Sequence, residues 1–252
     1  MKLFEKNEVT FSVMLIFIYV FGESAMQRIS EKTEIEFLAE TIFCIILSLI
    51  IFLFIKRNGL NQYLGLKKPE ISASKMLFYI PLLLIGGTGA FFGLGMEYSL
   101  TGAVFHTIMM IGVGFLEEVI FRGFLFRGIA KQNITRAVVI SSVTFGIGHL
   151  VNLLNGHDLL ENILQVIYAV TVGFMLVFIF LRTHSIILCI VFHGFNNSMT
   201  AFATSNFLIN KFGEKNAEII VTCIMLVIVI AYLIYIIRLP KNDLLPEKKV
   251  NQ

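Results

Sequence analysis

The chain has 252 residues and a formal net charge of +3, and 57% of its residues are hydrophobic whereas only 15% are charged. A soluble domain typically has about 45–50% apolar and about 25% charged residues. This contrast, with a mean hydropathy of +0.84, indicates an integral membrane protein and excludes a disordered chain or a charged coiled coil. The basic residues lie in short scattered clusters, whereas nucleic acid requires a concentrated basic face, so we expect no nucleic-acid partner.

Eight apolar segments without charged side chains follow one another along the chain. A helix needs about 20 apolar residues to cross the hydrocarbon of a bilayer, and the first two segments need flanking residues to reach that length. In chain order the segments are 9–22, 41–55, 76–96, 98–116, 137–157, 162–181, 183–210 and 219–237. The sequence therefore predicts an all-α fold, a polytopic membrane helical bundle of about eight transmembrane helices, with residues 1–252 forming a single domain in the lipid bilayer.

The loops between these segments differ in charge. Sixteen of the 20 Lys and Arg residues fall on one side of the predicted bundle, and the other side holds the remaining four, Arg28, Lys32, Lys211 and Lys215. The basic side comprises the N-terminus, 56–75, 117–136, Arg182 and 238–252. Because cytoplasmic loops are enriched in Lys and Arg, we expect a multi-pass protein of a bacterial cell membrane with both termini in the cytoplasm.

Polar residues that remain within the apolar segments are the candidates for function, because burying them in lipid is unfavourable. The first group is Glu117-Glu118-Val-Ile-Phe-Arg122, which extends the fourth segment and predicts a helix that continues to about residue 128. Glu118 and Arg122 are spaced i, i+4 and can pair. Glu117 then has no local partner, which suits a general base. The alternative is a solvated, inert end of a helix.

Two further groups lie in later segments. His149 ends Phe145-Gly-Ile-Gly-His149, about 12 residues or roughly 18 Å beyond Ala137 along a helix. His193 and Asn197 share one helix face in the seventh segment, at a similar depth. Taken singly, a buried histidine or asparagine is more often an interhelical hydrogen-bonding group than a catalytic one.

Taken together, one carboxylate and two imidazoles at compatible depths in separate helices predict a polar pocket inside the membrane. Glu117 with a histidine can hold and deprotonate a water molecule. A second histidine with Asn197 can donate hydrogen bonds to an oxyanion. Glu117, His149 and His193 could instead hold zinc. The chain lacks the HExxH sequence of many zinc proteases, so zinc is the less favoured alternative and no cofactor is expected.

In chain order, the sequences EExxxR at 117–122, FxxxH at 145–149 and HxxxN at 193–197 lie in successive apolar segments. This ordered set resembles the motifs of the CPBP family, the CAAX proteases and bacteriocin-processing enzymes that are also called the abortive-infection family. The family includes the type II CAAX prenyl proteases. The resemblance covers about residues 100–210, the expected catalytic core, and implies an intramembrane endopeptidase with eight helices that depends on a glutamate.

The resemblance also implies a role for each motif residue. Glu117 with His149 would activate the water, and His193 with Asn197 would stabilise the oxyanion. By the same resemblance, Glu118 and Arg122 would be supporting residues of the site. The implied substrate is a membrane-associated peptide or a lipid-anchored protein, and the implied setting is bacteriocin maturation or self-immunity. The alternative is a non-catalytic membrane immunity or transport protein that uses the same polar cluster for binding. The sequence indicates no oligomeric state.

Overall fold

The chain folds as a bundle of helices that run between two opposite polar ends. A computed structural model describes residues 1–71, 76–87, 92–96, 98–204 and 206–239. The α-helices in these residues are α1 (Lys2–Lys6), α2 (Glu8–Ser30), α3 (Leu38–Arg57), α4 (Asn61–Leu64), α5 (Tyr79–Gly86), α6 (Leu100–Glu117), α7 (Phe126–Ala130), α8 (Ile134–Ile147), α9 (Leu159–Thr183), α10 (Ile187–Ser198), α11 (Asn206–Phe212) and α12 (Glu214–Arg238). The predicted all-α membrane bundle is confirmed.

Six helical stretches of the described chain are long and apolar enough to span a membrane. They are Glu8–Ser30, Leu38–Arg57, Leu100–Ala130, Ile134–Asn155, Leu159–Thr183 and Glu214–Arg238. The predicted spans at 76–96 and 183–210 contain shorter helices instead, α5 with 8 residues and α10 with 12. The predicted count of eight is therefore not confirmed.

The loops meet at two separate ends of the bundle. At one end, Lys131 from the α7–α8 turn pairs with Glu8 at the start of α2 (2.5 Å). At the other end, Lys215 at the start of α12 pairs with Asp158 before α9 (3.1 Å). These contacts agree with the predicted grouping of the loops, while the direction of the bundle in the membrane stays a prediction.

The first spanning helix is longer than predicted. The segment 9–22 was bounded by the nearest charged residues, but α2 continues to Ser30. Glu23, which directly follows the predicted segment 9–22, consequently lies within this helix and not in a loop. A helix can carry a charged side chain at membrane depth when that side chain faces a polar cavity in place of lipid.

The helix that begins at Leu100 carries the first motif and changes its winding there. Ser99 caps it by accepting a hydrogen bond from the Gly102 N–H (3.0 Å). A π-helical stretch, Glu118–Leu125, joins α6 to α7, so the helix extends to Ala130 and beyond the predicted residue 128. Such stretches occur frequently at functional sites. Arg122 lies in it and is fully buried, so the count of basic loop residues was wrong to include it.

Gly114 allows α6 to approach α10 closely at Gly194. A Cβ atom built on Gly114 would lie 2.6 Å from the backbone nitrogen of Gly194, a separation that atoms do not tolerate. The two backbones can approach this closely because Gly114 has no side chain, whereas a Cβ atom on Gly194 would make only ordinary contacts of 3.4 Å or more. Gly194 follows His193, and Gly114 lies one turn before Glu117 and Glu118. The approach therefore places His193 next to both carboxylates.

The outward faces of the bundle are apolar. On α3, the side chains of Ile46, Leu49 and Ile50 are all more than half exposed. An exposed apolar face of this size is typical of a surface that contacts lipid.

Candidate active site

All four residues predicted to be catalytic line one cavity of about 350 Å³. Glu117 comes from α6, His149 from the 3₁₀-helical segment Gly148–Asn155 after α8, and His193 and Asn197 from α10. The cavity walls also include side chains from α2 and α9. The three motifs, separated by up to 80 residues in sequence, thus meet in one place.

Glu117 is buried, with 7% of its surface exposed, and its two carboxylate oxygens differ. The hydroxyl group of Tyr19 in α2 donates a hydrogen bond to Oε1 (2.7 Å). Oε2 has no hydrogen-bond partner in the described chain and lies 3.5 Å from Nε2 of His193. As expected, Glu117 has no partner on its own helix among the described residues. The donor for one of its oxygens comes from α2, which is distant in sequence. The other oxygen is left for a ligand in the cavity.

Glu118 and Arg122 form the predicted pair. Arg122 Nη1 donates to Glu118 Oε1 (2.9 Å), and neither side chain has any exposed surface. Arg122 Nη2 also donates to the carbonyl of Gly173 in α9 (3.3 Å). Because a buried charge is costly unless it is paired, each of these two side chains requires the other.

His193 lies between the two carboxylates. Its Nδ1 is 2.8 Å from Oε1 of Glu118, and its Nε2 is on the side of Glu117. Because a carboxylate oxygen accepts, the contact with Glu118 places a proton on Nδ1. The ring orientation is thereby fixed, with Nε2 directed into the cavity.

Phe145, the first residue of the FxxxH motif, contacts three residues of the site. Its ring meets His149 edge-on with centroids 5.9 Å apart and meets His193 at 5.6 Å. The guanidinium of Arg122 lies 4.2 Å from the centroid of the same ring. The ring therefore fixes the spacing between the two histidines and the buried ion pair, which explains why the motif begins with an aromatic residue.

His149 and Asn197 complete the cavity wall. No residue in the described ranges forms a hydrogen bond with the imidazole of His149, whereas its backbone carbonyl accepts from Asn162 Nδ2 (2.9 Å). Asn197 Oδ1 accepts from Asn196 Nδ2 (3.1 Å). This contact leaves the Asn197 amide N–H₂ available as a donor.

The zinc alternative needs at least three ligand atoms about 2.0–2.2 Å from one point. Across the described residues, no group of three or more His, Cys, Asp or Glu side chains is arranged to hold a metal ion. The independence from zinc stays a prediction.

Residues 99–199 match the family model described as type II CAAX prenyl endopeptidase, Rce1-like. This part of the chain is similar to the CAAX protease family. The matched segment contains all three motifs, and no curated protein matches the chain. The match supports an intramembrane endopeptidase similar to the CAAX proteases.

The cavity also contains residues that the sequence motifs did not identify. Tyr19 and Glu23 lie one turn apart on α2, before the family segment begins, and Tyr168 lies on α9. In the sequence, Tyr19 is a polar residue inside the first apolar segment and Glu23 directly follows that segment. These two positions are what the sequence offers to predict a role for α2 in the cavity. This indication is weak, because tyrosine is common in membrane helices and because Glu23 lies just outside the predicted apolar segment 9–22.

Proposed function

We propose that the chain is a glutamate-dependent endopeptidase that hydrolyses a peptide bond in a membrane-associated peptide or a lipid-anchored protein, without a metal ion. The observation that carries this proposal is that Glu117, His149, His193 and Asn197 line one cavity. Glu117 has a free carboxylate oxygen there.

Glu117 and His149 are suited to activate a water molecule. The Tyr19 hydroxyl holds one oxygen of Glu117, so the other can accept a proton from water. The unpartnered imidazole of His149 lines the same cavity and can share the water as a second hydrogen-bonding group. A positioned general base of this kind contributes about 10²–10⁴-fold to a rate.

His193 and Asn197 are suited to stabilise the oxyanion of the tetrahedral intermediate. With Nδ1 bonded to Glu118, the His193 ring directs Nε2 into the cavity, and a ring that carries a proton on each nitrogen can donate from Nε2. The Asn197 amide supplies the second donor. Donors fixed before the reaction stabilise developing charge without reorganisation.

The test is the cleavage of an internally quenched peptide library by reconstituted protein, read by mass spectrometry. Glu117→Gln should be nearly inactive but folded, and the exposed control Glu34→Gln should match the wild type. Asn197→Ala should slow cleavage by about 10²–10³-fold. Adding His149→Ala to Glu117→Gln should reduce the rate little further, because both residues act on the same water.

A binding or transport protein would behave differently in the same experiment. Its losses would follow ligand affinity and would add in the double variant, and no peptide product would form. Cleavage by folded Glu117→Gln at the wild-type rate would contradict the glutamate mechanism.

Bacteriocin maturation or self-immunity is the proposed setting, and it is tested by trapping substrates on Glu117→Gln in cells. Recovery of small leader-bearing peptides would support it.

The proposed orientation in the membrane is tested with reporter fusions. Fusions after Arg57 and Arg136 should report the cytoplasm, and fusions near Glu34 and Asp158 should report the outside. The opposite pattern would contradict the proposed direction of the bundle.

A further inference from the structure

We infer that Glu23 determines substrate specificity by binding a cationic group of the substrate, a Lys or Arg side chain close to the scissile bond. This inference rests on the proposed endopeptidase function. It begins from an unusual placement, a carboxylate on a lipid-embedded helix that faces the catalytic cavity.

Glu23 has no ionic or hydrogen-bonding partner among the described residues. It is partly buried on α2 and lines the cavity, one turn beyond Tyr19. An unpaired carboxylate at this depth is unfavourable. A cation brought by the substrate would remove that penalty on binding, which is a source of both affinity and selectivity.

The described lining of the cavity offers no lysine or arginine to compete for Glu23, and His193 lies between Glu117 and Glu118. The acidic residues in this lining are Glu23 and Glu117. Arg28, the next basic residue along α2, is bonded through Nε to Asn155 Oδ1 (3.0 Å) and through Nη2 to the Leu154 carbonyl (3.0 Å). It therefore holds the 3₁₀-helical segment against α2 and does not neutralise Glu23.

Neutral polar groups accompany Glu23 in the cavity wall. Asn152 Nδ2 donates to Gln165 Oε1 (2.9 Å), and both side chains line the cavity. The hydroxyl of Tyr168 lies in the same wall and forms no hydrogen bond within the described ranges. Amide and hydroxyl oxygens beside a carboxylate suit an ammonium or guanidinium group, which offers several N–H donors.

The helix geometry gives the distance of the recognised cation from the reaction. Tyr19 holds Glu117, and Glu23 is four residues farther, or about 6 Å along the helix axis. An extended peptide advances about 3.3 Å per residue. The basic side chain should therefore lie within about two residues of the scissile bond. Because Glu23 is itself a carboxylate, a substrate carboxylate at that position, including a free C-terminus, should be disfavoured.

The experiment uses the full-length protein in phosphatidylcholine vesicles, which carry no net charge and so do not concentrate basic peptides. The probes are quenched Ala-Leu peptides in which Lys, norleucine or Glu occupies each position in turn, with free or acetylated N-termini. Wild type should favour Lys over norleucine in kcat/KM by about 10- to 100-fold, the range of a charge-assisted hydrogen bond. In Glu23→Gln this ratio should fall to near one.

Two further variants control for folding and for charge. Glu31→Gln removes an exposed carboxylate at the end of the same helix and should keep the wild-type ratio. Glu23→Asp keeps the charge and should retain part of the preference. If acetylation of the N-terminus abolishes the preference, the cation recognised is the terminal amine and the side-chain assignment is overturned.

Binding of the same peptides to Glu117→Gln, measured by fluorescence anisotropy, separates the two proposals. Tighter binding of the Lys peptide that depends on Glu23 supports the inference even if no peptide is cleaved. Cleavage with equal rates for Lys and norleucine overturns the inference and leaves the endopeptidase standing. Equal affinities for the two peptides overturn it as well.

Discussion

Arg122→Ala tests the buried ion pair most directly. The substitution removes the hydrogen bond to Glu118, the hydrogen bond to the Gly173 carbonyl and the cation–π contact with Phe145. It also leaves the Glu118 carboxylate fully buried without its cation. His193 then has only that uncompensated carboxylate to fix its ring.

The expected cost follows from the burial of both partners, each without exposed surface. Breaking a fully buried pair by removing one partner costs about 3–5 kcal/mol in soluble proteins, and a desolvated cation–π contact adds about 2 kcal/mol. For a chain of this size 1 kcal/mol corresponds to about 2–4 °C in Tm. We therefore expect Tm to fall by roughly 10 °C or more, together with loss of activity.

The assay is thermal unfolding in one fixed detergent, in parallel with peptide cleavage. Arg136→Ala, at an exposed arginine near the start of α8, should leave both unchanged. Arg122→Lys should rescue poorly, because an ammonium lacks the planar fork of the guanidinium. The double variant Glu118→Leu/Arg122→Met should recover stability but not activity, since His193 loses its acceptor. Equal melting temperatures for wild type and Arg122→Ala would refute the reasoning.

Three other perturbations address separate parts of the site. Tyr19→Phe should lower kcat/KM about 10-fold or more while the protein stays folded, because Glu117 loses a hydrogen bond to a charged group; an unchanged kcat/KM would show that the bond is unimportant. Gly114→Ala should lower both Tm and activity, because its Cβ would overlap the backbone of Gly194, whereas Gly87→Ala, with only ordinary contacts, should be neutral in both assays. Dialysis against a strong chelator should leave the cleavage rate nearly unchanged; a loss that added zinc restores would favour the zinc alternative.

Local geometry explains which parts of the site could be predicted. The Glu118–Arg122 pair follows from i, i+4 spacing, which any helix imposes, and the structure places the two side chains 2.9 Å apart. The gathering of His149 and His193 with Glu117 was inferred from their similar depths in separate helices, and one cavity contains all three. Depth is readable from sequence because the membrane fixes the direction of the helices.

Contacts across the bundle could not be predicted in the same way. The Tyr19–Glu117 bond joins residues 98 apart, and no periodicity shows which face of α2 meets α6. The extent of α2 was missed because a charged residue was taken as the end of the helix, whereas Glu23 faces a cavity. The short helices α5 and α10 were missed because apolar composition alone does not reveal where a helix stops.

The position of α2 in the cavity wall has a consequence for dissecting this protein. A fragment that began at Ser99 would include every motif but would lack Tyr19, and its Glu117 carboxylate would be open to lipid on the side that α2 now covers. The smallest working unit must therefore start upstream of the three motifs. Exchanging α2 between related chains, with the motif helices left intact, should transfer substrate preference from one protein to another.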